Sequence, residues 1–448
     1  MAETLEEIRE RANHPCFLDE NSRPFDVHRK ADHPEVDEAV EHVLSVMGVT
    51  PPRQKTYHDA FLHNLKALIL DLYVAYLQGP HMWVGIPMKK ANQHKARFRA
   101  LHLSGETIAK HVKSVHGKGL IEMVMGYWDY STRAGKQTRI QATDRLFEIL
   151  LEYDINEVML DRHERPEIVL REKDEKGKRL DIDITDDQWA ETLRYPIRQF
   201  NILIAQARIT LGIDLADQLR LRKRMKWRPG FRLEMLGTQY RRVFNRVDGQ
   251  DFLFGGRLYG HWSQNIPKEC RPDICINGEK TLELDYGRLH PSLAYDLAGM
   301  PKPDGGLYTW PGCKTGDEER LIRKVLFNCL LNANSQDEGV GGAMGCLQDK
   351  HGLDVSWGYV KSLCEPLMKH HAAIADYFGT GLGRKLQFID SEIALGILFD
   401  LAAEGIVALP IHDSFIVQKH HEDRLRGLME YHYCSRMGSR PVIKRSGD

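Results

Sequence analysis

Thr281-Leu-Glu-Leu-Asp285-Tyr-Gly-Arg-Leu-His290-Pro-Ser-Leu-Ala-Tyr-Asp-Leu-Ala-Gly299 reads as a strand, a sharp junction and a helix. Leu282 and Leu284 alternate with Thr281 and Glu283, the period of a half-buried strand. Leu289, Leu293 and Leu297 then recur every fourth residue, the spacing of a helix face. Asp285 ends the strand. A carboxylate there can cap the following helix, or it can share a divalent cation with a neighbouring backbone carbonyl.

A second carboxylate bears on that choice. Gly405-Ile-Val-Ala-Leu-Pro-Ile-His412-Asp413-Ser-Phe-Ile-Val-Gln418 is apolar, then His-Asp, then apolar again. Two short strands around a polar pair predict a hairpin whose turn carries His412 and Asp413. An ionised Asp is rarely held between hydrophobic strands unless it is paired or binds metal. Two such residues can bridge a pair of Mg²⁺ ions about 3.5–4 Å apart, the arrangement that serves in-line phosphoryl displacement. Mg²⁺ characteristically takes one or two carboxylates and leaves its other positions to water and substrate phosphates.

Between the two strands, Asp317-Glu-Glu-Arg320-Leu-Ile-Arg323-Lys324-Val-Leu-Phe327-Asn328-Cys-Leu-Leu-Asn332 is helical in pattern. Arg320, Lys324, Asn328 and Asn332 recur every fourth residue and form one polar row, with Leu321, Val325 and Cys329 beside it. Two cations on a packed helix suit a triphosphate.

In order and spacing these segments resemble the family A, DNA polymerase I-like, polymerases. Asp285 to Gly299 is similar to their motif A. His412-Asp413-Ser414-Phe415 is similar to motif C, with a Ser-Phe ending closer to the single-subunit, phage-type RNA polymerases. Gly256-Arg257-Leu258-Tyr-Gly-His-Trp-Ser-Gln264-Asn265-Ile266-Pro267 resembles the segment that contacts primer–template. The resemblance runs from about Phe252 to His432 and implies an α+β right-hand polymerase, an antiparallel palm sheet with helical thumb and fingers. By the same resemblance, Asp285 and Asp413 would hold two Mg²⁺, with Mn²⁺ able to substitute. Arg320 and Lys324 would bind the β- and γ-phosphates, and Arg257, Gln264 and Asn265 would contact primer–template. Tyr286 and His290 would border the sugar, and His412 would flank the metals or the primer terminus. The chain departs from the family at three places. His290 stands where a Glu rejects the ribose 2′-hydroxyl, and Asn328 and Asn332 stand where aromatic residues stack on the nascent pair, with Phe327 one residue away. The fingers, about 312–378, are short.

Upstream, residues 55–153 read as helix, turn, helix, strand, basic wing and strand, with a further helix from Asp144, a pattern that resembles a winged helix. Lys110 and Lys113 would face a groove, and the wing residues Arg133, Lys136 and Arg139 would sit on phosphates. Residues 1–54 read as a loosely ordered arm ending in a helix, Pro34 to Met47. Residues 154–250 read as a helical, thumb-like region with a polar loop at Arg171–Arg179 and a basic cluster from Leu219 to Arg228. Residues 251–448 would form the palm with its fingers.

Composition narrows the field. With 448 residues, the chain is long enough for two or three domains. A net charge of −1 means that nucleic-acid contact must come from local basic clusters. The eight cysteines contain no CxxC pair, so reduced thiols are expected rather than a zinc site. The acidic start does not resemble a secretion signal, and the apolar run Leu65–Leu77 is interrupted by Lys66 and Asp71. A cytoplasmic protein is expected, with no membrane contact. What the resemblance implies is primer extension by a DNA polymerase on nucleoside triphosphates and DNA primer–template, and the pairing with a winged helix suggests replication or repair of a mobile replicon such as a plasmid or phage. A primase or RNA polymerase on the same palm, and a DNA-binding protein with an inactive palm, are its rivals.

Overall fold

The computed structural model describes residues 21–86, 88, 103–129, 134–156, 159–162, 166–173, 179–185, 187–228, 231–303 and 306–446. The protein is mixed α+β and divides into two compact units: residues 1–166, 174–183 and 213–237, and residues 167–173, 184–212 and 238–448.

The first unit is built around helix α2, Lys55–Gln78, which follows helix α1, Pro34–Met47. α2 is long and apolar enough to cross a membrane by length and composition, but 72% of that window is buried in protein. Leu65, Leu68, Leu72 and Leu77 join Val36, Val40 and Val43 of α1 in one core. α2 also buries Asp71. That charge is tolerable because Arg23 Nη1 donates to its Oδ2 at 2.9 Å and Arg29 Nε lies 3.4 Å from Oδ1. Strand β1, Ser22–Pro24, runs parallel to β2, Trp83–Ile86. The sheet continues through β4, Thr138–Ala142, to β3, Ile121–Val124. Residues from Ser22 onward, read as part of a loose arm, are thus ordered: Phe25 and Val27 are core residues. The first 20 residues lie outside the described set. Helix α3, Gly105–Gly117, starts where the Ser104 side chain accepts Thr107 N–H, and helix α4 spans Asp144–Glu152. A two-stranded ribbon, Tyr127–Asp129 with Ala134–Lys136, stands between β3 and β4.

The second unit carries the quoted stretch. Helix α5, Gln188–Gln206, is capped by Asp187. The segment read as helical is interrupted by strands: β5 (Ile168–Lys173), β6 (Ile209–Leu211) and β7 (Arg241–Asn245). β5 overlaps the start of the polar segment read as a loop. Ile168, Val169 and Leu170 are buried, and β5 pairs in parallel with β7. These strands are too short for periodicity to separate them from helix.

β7 pairs with β8, Gly255–Tyr259. β9 (Ile274–Ile276) leads to β10, Glu279–Tyr286, and helix α6, Leu289–Ala298, follows. Helices α7 (Asp317–Asn332), α8 (Gln336–His351) and α9 (Gly383–Ala403) come next. β11 (Leu409–Ile411), β12 (Ser414–Gln418), helix α10 (Glu422–Met437) and β13 (Ile443–Arg445) complete the chain. The central six-stranded sheet has the order β6-β9-β10-β12-β11, with β13 on the free part of β10.

Candidate active site

β10 pairs antiparallel with β12 so that Asp285 lies opposite Ser414. β11 and β12 are joined by a two-residue turn, His412-Asp413, with Ile411 opposite Ser414. His412 takes φ 61°, the left-handed conformation that short hairpin turns require. Tyr286 N–H donates to Asp413 O at 3.3 Å. The strand-end Asp and the turn Asp are thereby neighbours on one sheet, though 128 residues apart in sequence.

Their charges are incompletely balanced. The Asp285 carboxyl is pushed up to about 7, first by burial, then by the charges of Asp413 and Glu283, against the pull of Lys268 and Lys324. Glu283 stands two residues earlier on the same strand face. It accepts a hydrogen bond from Ser414 Oγ and has Arg271 Nη1 at 3.4 Å. Among the described residues no group of three or more His, Cys, Asp or Glu side chains forms a closed metal cage. Two carboxylates with hard oxygen donors and unrelieved repulsion fit Mg²⁺, which keeps positions for water and phosphate.

On α7, Arg320 and Lys324 are exposed, Asn328 is half-buried and Asn332 is exposed. The Arg320 guanidinium lies 5.8 Å from the Tyr308 ring centroid, and the charges of Arg288 and Arg320 both act on Tyr308. Lys324 acts on Asp285. Asn332 donates to Asn328 O at 2.7 Å, a contact within the helix. Phe327 is 0% exposed, packed edge-on against Tyr308 and Phe378, so it offers no stacking surface. Arg323 is buried and donates to Tyr308 O at 2.7 Å.

The remaining residues are placed less as the resemblance implies. Tyr286 is 3% exposed on the strand face opposite Asp285, and its hydroxyl donates to Met429 O at 2.6 Å. It borders helix α10, not the carboxylate face, because side chains alternate along a strand. Gln264 spends its amide inside the protein, donating to Leu258 O and Pro410 O, each at 3.0 Å, and accepting Gly260 N–H at 3.0 Å. Asn265 is exposed and donates to His261 O at 3.3 Å. Arg257 Nε donates to Asp390 at 2.9 Å, and His290 Nε2 lies 2.8 Å from Asp390 Oδ2. His412 packs edge-on against Tyr259 at 5.7 Å, and burial followed by the Arg257 charge lowers its pKa.

In the first unit Lys110 is exposed with Glu106 at 3.1 Å, and Lys113 is exposed. Arg139 is not available to a phosphate as expected. It is 8% exposed and donates to Ser22 Oγ and Gln137 O, each at 3.0 Å. Arg133 lies outside the described residues. Lys136 closes a strand of the ribbon, and its side chain lies outside them too.

The sequence reading missed Asp390, Glu283, Lys268, Arg271 and Arg288. Glu283 was signalled by the alternation that includes Asp285. Asp390 gives a weaker signal, the first residue of a polar run, Asp390-Ser391-Glu392, set between Ile389 and Ile393.

No protein-family model matches the chain, and no curated protein matches it. Among solved structures it is similar to the POL domain of Pol1 from M. smegmatis in complex with DNA primer-template and dNTP, at 12% identity and a TM-score of 0.32. The likeness covers 58% of this chain and 64% of that one, less than two thirds of its length. At that level of superposition nothing about this chain follows from it.

Proposed function

We propose that the chain is a template-directed nucleotidyltransferase, a DNA polymerase that extends a primer. The carrying observation is the placement of Asp285 and Asp413 side by side at the end of one sheet, with the charge of Lys324 from the polar row of α7 acting on Asp285. In this reading the second unit is a right-hand palm with short fingers, and α3 with its ribbon forms a winged helix on DNA. Lys110 and Lys113 make phosphate contacts there. The activity serves a plasmid, phage or other mobile replicon.

Asp285 and Asp413 would hold two Mg²⁺. Bound there, the ions would favour deprotonation of the primer 3′-hydroxyl and offset the charge of the leaving pyrophosphate. Arg320 and Lys324 fix the β- and γ-phosphates, so that the α-phosphate is presented to the carboxylate pair. Phosphoryl transfer asks the protein for positioning and charge stabilisation, with little covalent chemistry of its own. Arg257 and His290, on the flank held by Asp390, border the sugar and primer end.

Primer extension tests this. With Mg²⁺ and a labelled primer–template, dNTPs are expected to be incorporated by the wild-type protein and not by Asp413→Ala. A second reading, a primase or RNA polymerase, is favoured by His290, whose ring is hydrogen-bonded where the related enzymes carry a Glu. Extension with NTPs only, or synthesis without primer, would establish it. Incorporation of neither, with DNA still bound, would leave a DNA-binding protein with an inactive palm.

A further inference from the structure

Beside the Asp285–Asp413 pair, one buried carboxylate is bonded to two groups at once. Asp390 projects from α9 and is 4% exposed. Its oxygens accept Arg257 Nε at 2.9 and 3.1 Å, an Arg257 Nη2 hydrogen bond, and His290 Nε2 at 2.8 Å. The same His290 Nε2 lies 2.9 Å from Arg257 Nη2, so carboxylate, guanidinium and imidazole form one closed cluster. Arg257 comes from β8 and His290 from the first turn of α6, five residues after Asp285. The charge of Asp413 acts on Arg257, and those of Arg257 and Asp390 act on His412. Asp390 thus fixes a cation and an imidazole from two different elements on the flank of the carboxylate pair.

The neighbours of Asp390 on α9 do a different job. Arg242 Nη2 donates to Glu392 Oε1 at 2.7 Å, and Ser391 Oγ donates to Gly255 O at 3.3 Å. These bonds dock the helix on β7 and β8 where Gly256, at φ 80°, leaves room. A Cβ there would lie 2.8 Å from both Arg242 Nη2 and Ser391 Oγ. Glu392 touches neither Arg257 nor His290, so its pairing with Arg242 is a built-in comparator for a purely structural role.

We infer that Asp390 is a positioning residue of the nucleotidyl-transfer site, orienting Arg257 and the His290 ring beside Asp285 and Asp413. This rests on the reading proposed above. The chemistry is orientation alone: Asp390 exchanges no proton with substrate.

The experiment is single-turnover primer extension by Asp390→Asn, with Glu392→Gln as comparator and thermal unfolding of each. Asp390→Asn should slow incorporation about 10- to 100-fold, as sub-ångström misplacement of site groups does. Glu392→Gln should lower Tm while keeping the wild-type rate. In the Arg257→Ala/His290→Ala background, Asp390→Asn should add little further loss, since its effect passes through those two residues. Equal slowing in Glu392→Gln, or full additivity of Asp390→Asn with the double variant, overturns the inference. Should Asp390→Asn fail to fold, Asp390→Glu, which keeps the charge but displaces the carboxylate, decides. Slowed incorporation at wild-type Tm upholds the inference and a wild-type rate overturns it. A wild-type protein as inert as Asp413→Ala defeats the nucleotidyl-transfer reading and the inference with it, whereas a wild-type rate in Asp390→Asn defeats the inference alone.

Discussion

Asp285 and Tyr286 are sequence neighbours that the strand sends to opposite faces. The Asp285 face gathers Glu283, Lys268 and the turn residue Asp413, whereas Tyr286 enters the core beneath α10. The alternation of Leu282 and Leu284 already places Tyr286 on the apolar side. Only the resemblance implies that it borders the sugar. Tyr286→Phe should therefore act on stability and not on substrate. Removing a buried hydroxyl whose partner carbonyl is then left unpaired costs about 1–2 kcal/mol. The denaturation midpoint should fall, while the nucleotide KM and the ratio of ribo- to deoxyribonucleotide incorporation stay at wild-type values. A changed ratio would mean that the ring does reach the sugar. Asp390 marks the opposite failure of reading. Its partners Arg257 and His290 lie 133 and 100 residues away, and no local pattern announces a pairing across such a span.

At the scale of one element, α7 was legible because its polar row and its apolar row follow a single period. Arg320 and Lys324 face outward as the row predicts; of the apolar row Val325 is buried but Leu321 and Cys329 only half-buried, and Ile322, Leu326, Phe327 and Leu330 form the inward face. The row alone does not say that Arg323, also a cation, is buried and spends its guanidinium on the Tyr308 carbonyl. Two substitutions separate the faces. Arg320→Ala and Lys324→Ala each remove one charge from an exposed side chain. They should raise the triphosphate KM roughly tenfold, a charge-assisted contact of about 1.4 kcal/mol, with Tm unchanged. Phe327→Ala, by contrast, empties a core site against Tyr308 and Phe378 and should cost about 3–5 kcal/mol of stability. Steady-state kinetics beside thermal melts checks both. A KM unmoved by Lys324→Ala would take the triphosphate off this helix. The short strands β5, β6 and β7 were not legible for a related reason: three to six residues sample too little of either period.

At the scale of the whole molecule, buried histidines set the response to acid. His111 in the first unit and His371 in the second are each held near pKa 4, and His261 in the second near 3, all chiefly by burial. Each is fully enclosed and already hydrogen-bonded: His111 to Phe61 O at 3.1 Å, His371 to Leu307 O at 2.7 Å, and His261 to Ser263 Oγ at 2.8 Å. In the unfolded chain they titrate near 6.5. Above that pH both states are neutral and the groups add no pH dependence. Between about 6.5 and 4 the unfolded chain takes up protons that the native state refuses, so stability falls as pH falls, by on the order of 3 kcal/mol per histidine. Asp285 pulls the other way. Its carboxyl near 7 gains a proton in the fold before it would in the unfolded chain, so acid relieves its cost. Measuring on Asp285→Asn removes that opposing contribution. Urea titrations of that variant at pH 7, 6, 5 and 4 should show a steady loss of stability. The second unit, with two of these histidines against one, should lose the more. Adding His371→Gln should flatten the slope, because the proton that only the unfolded chain could accept is gone. A stability unchanged between pH 7 and 5 would mean that these rings reach water in the native state, contrary to their enclosure.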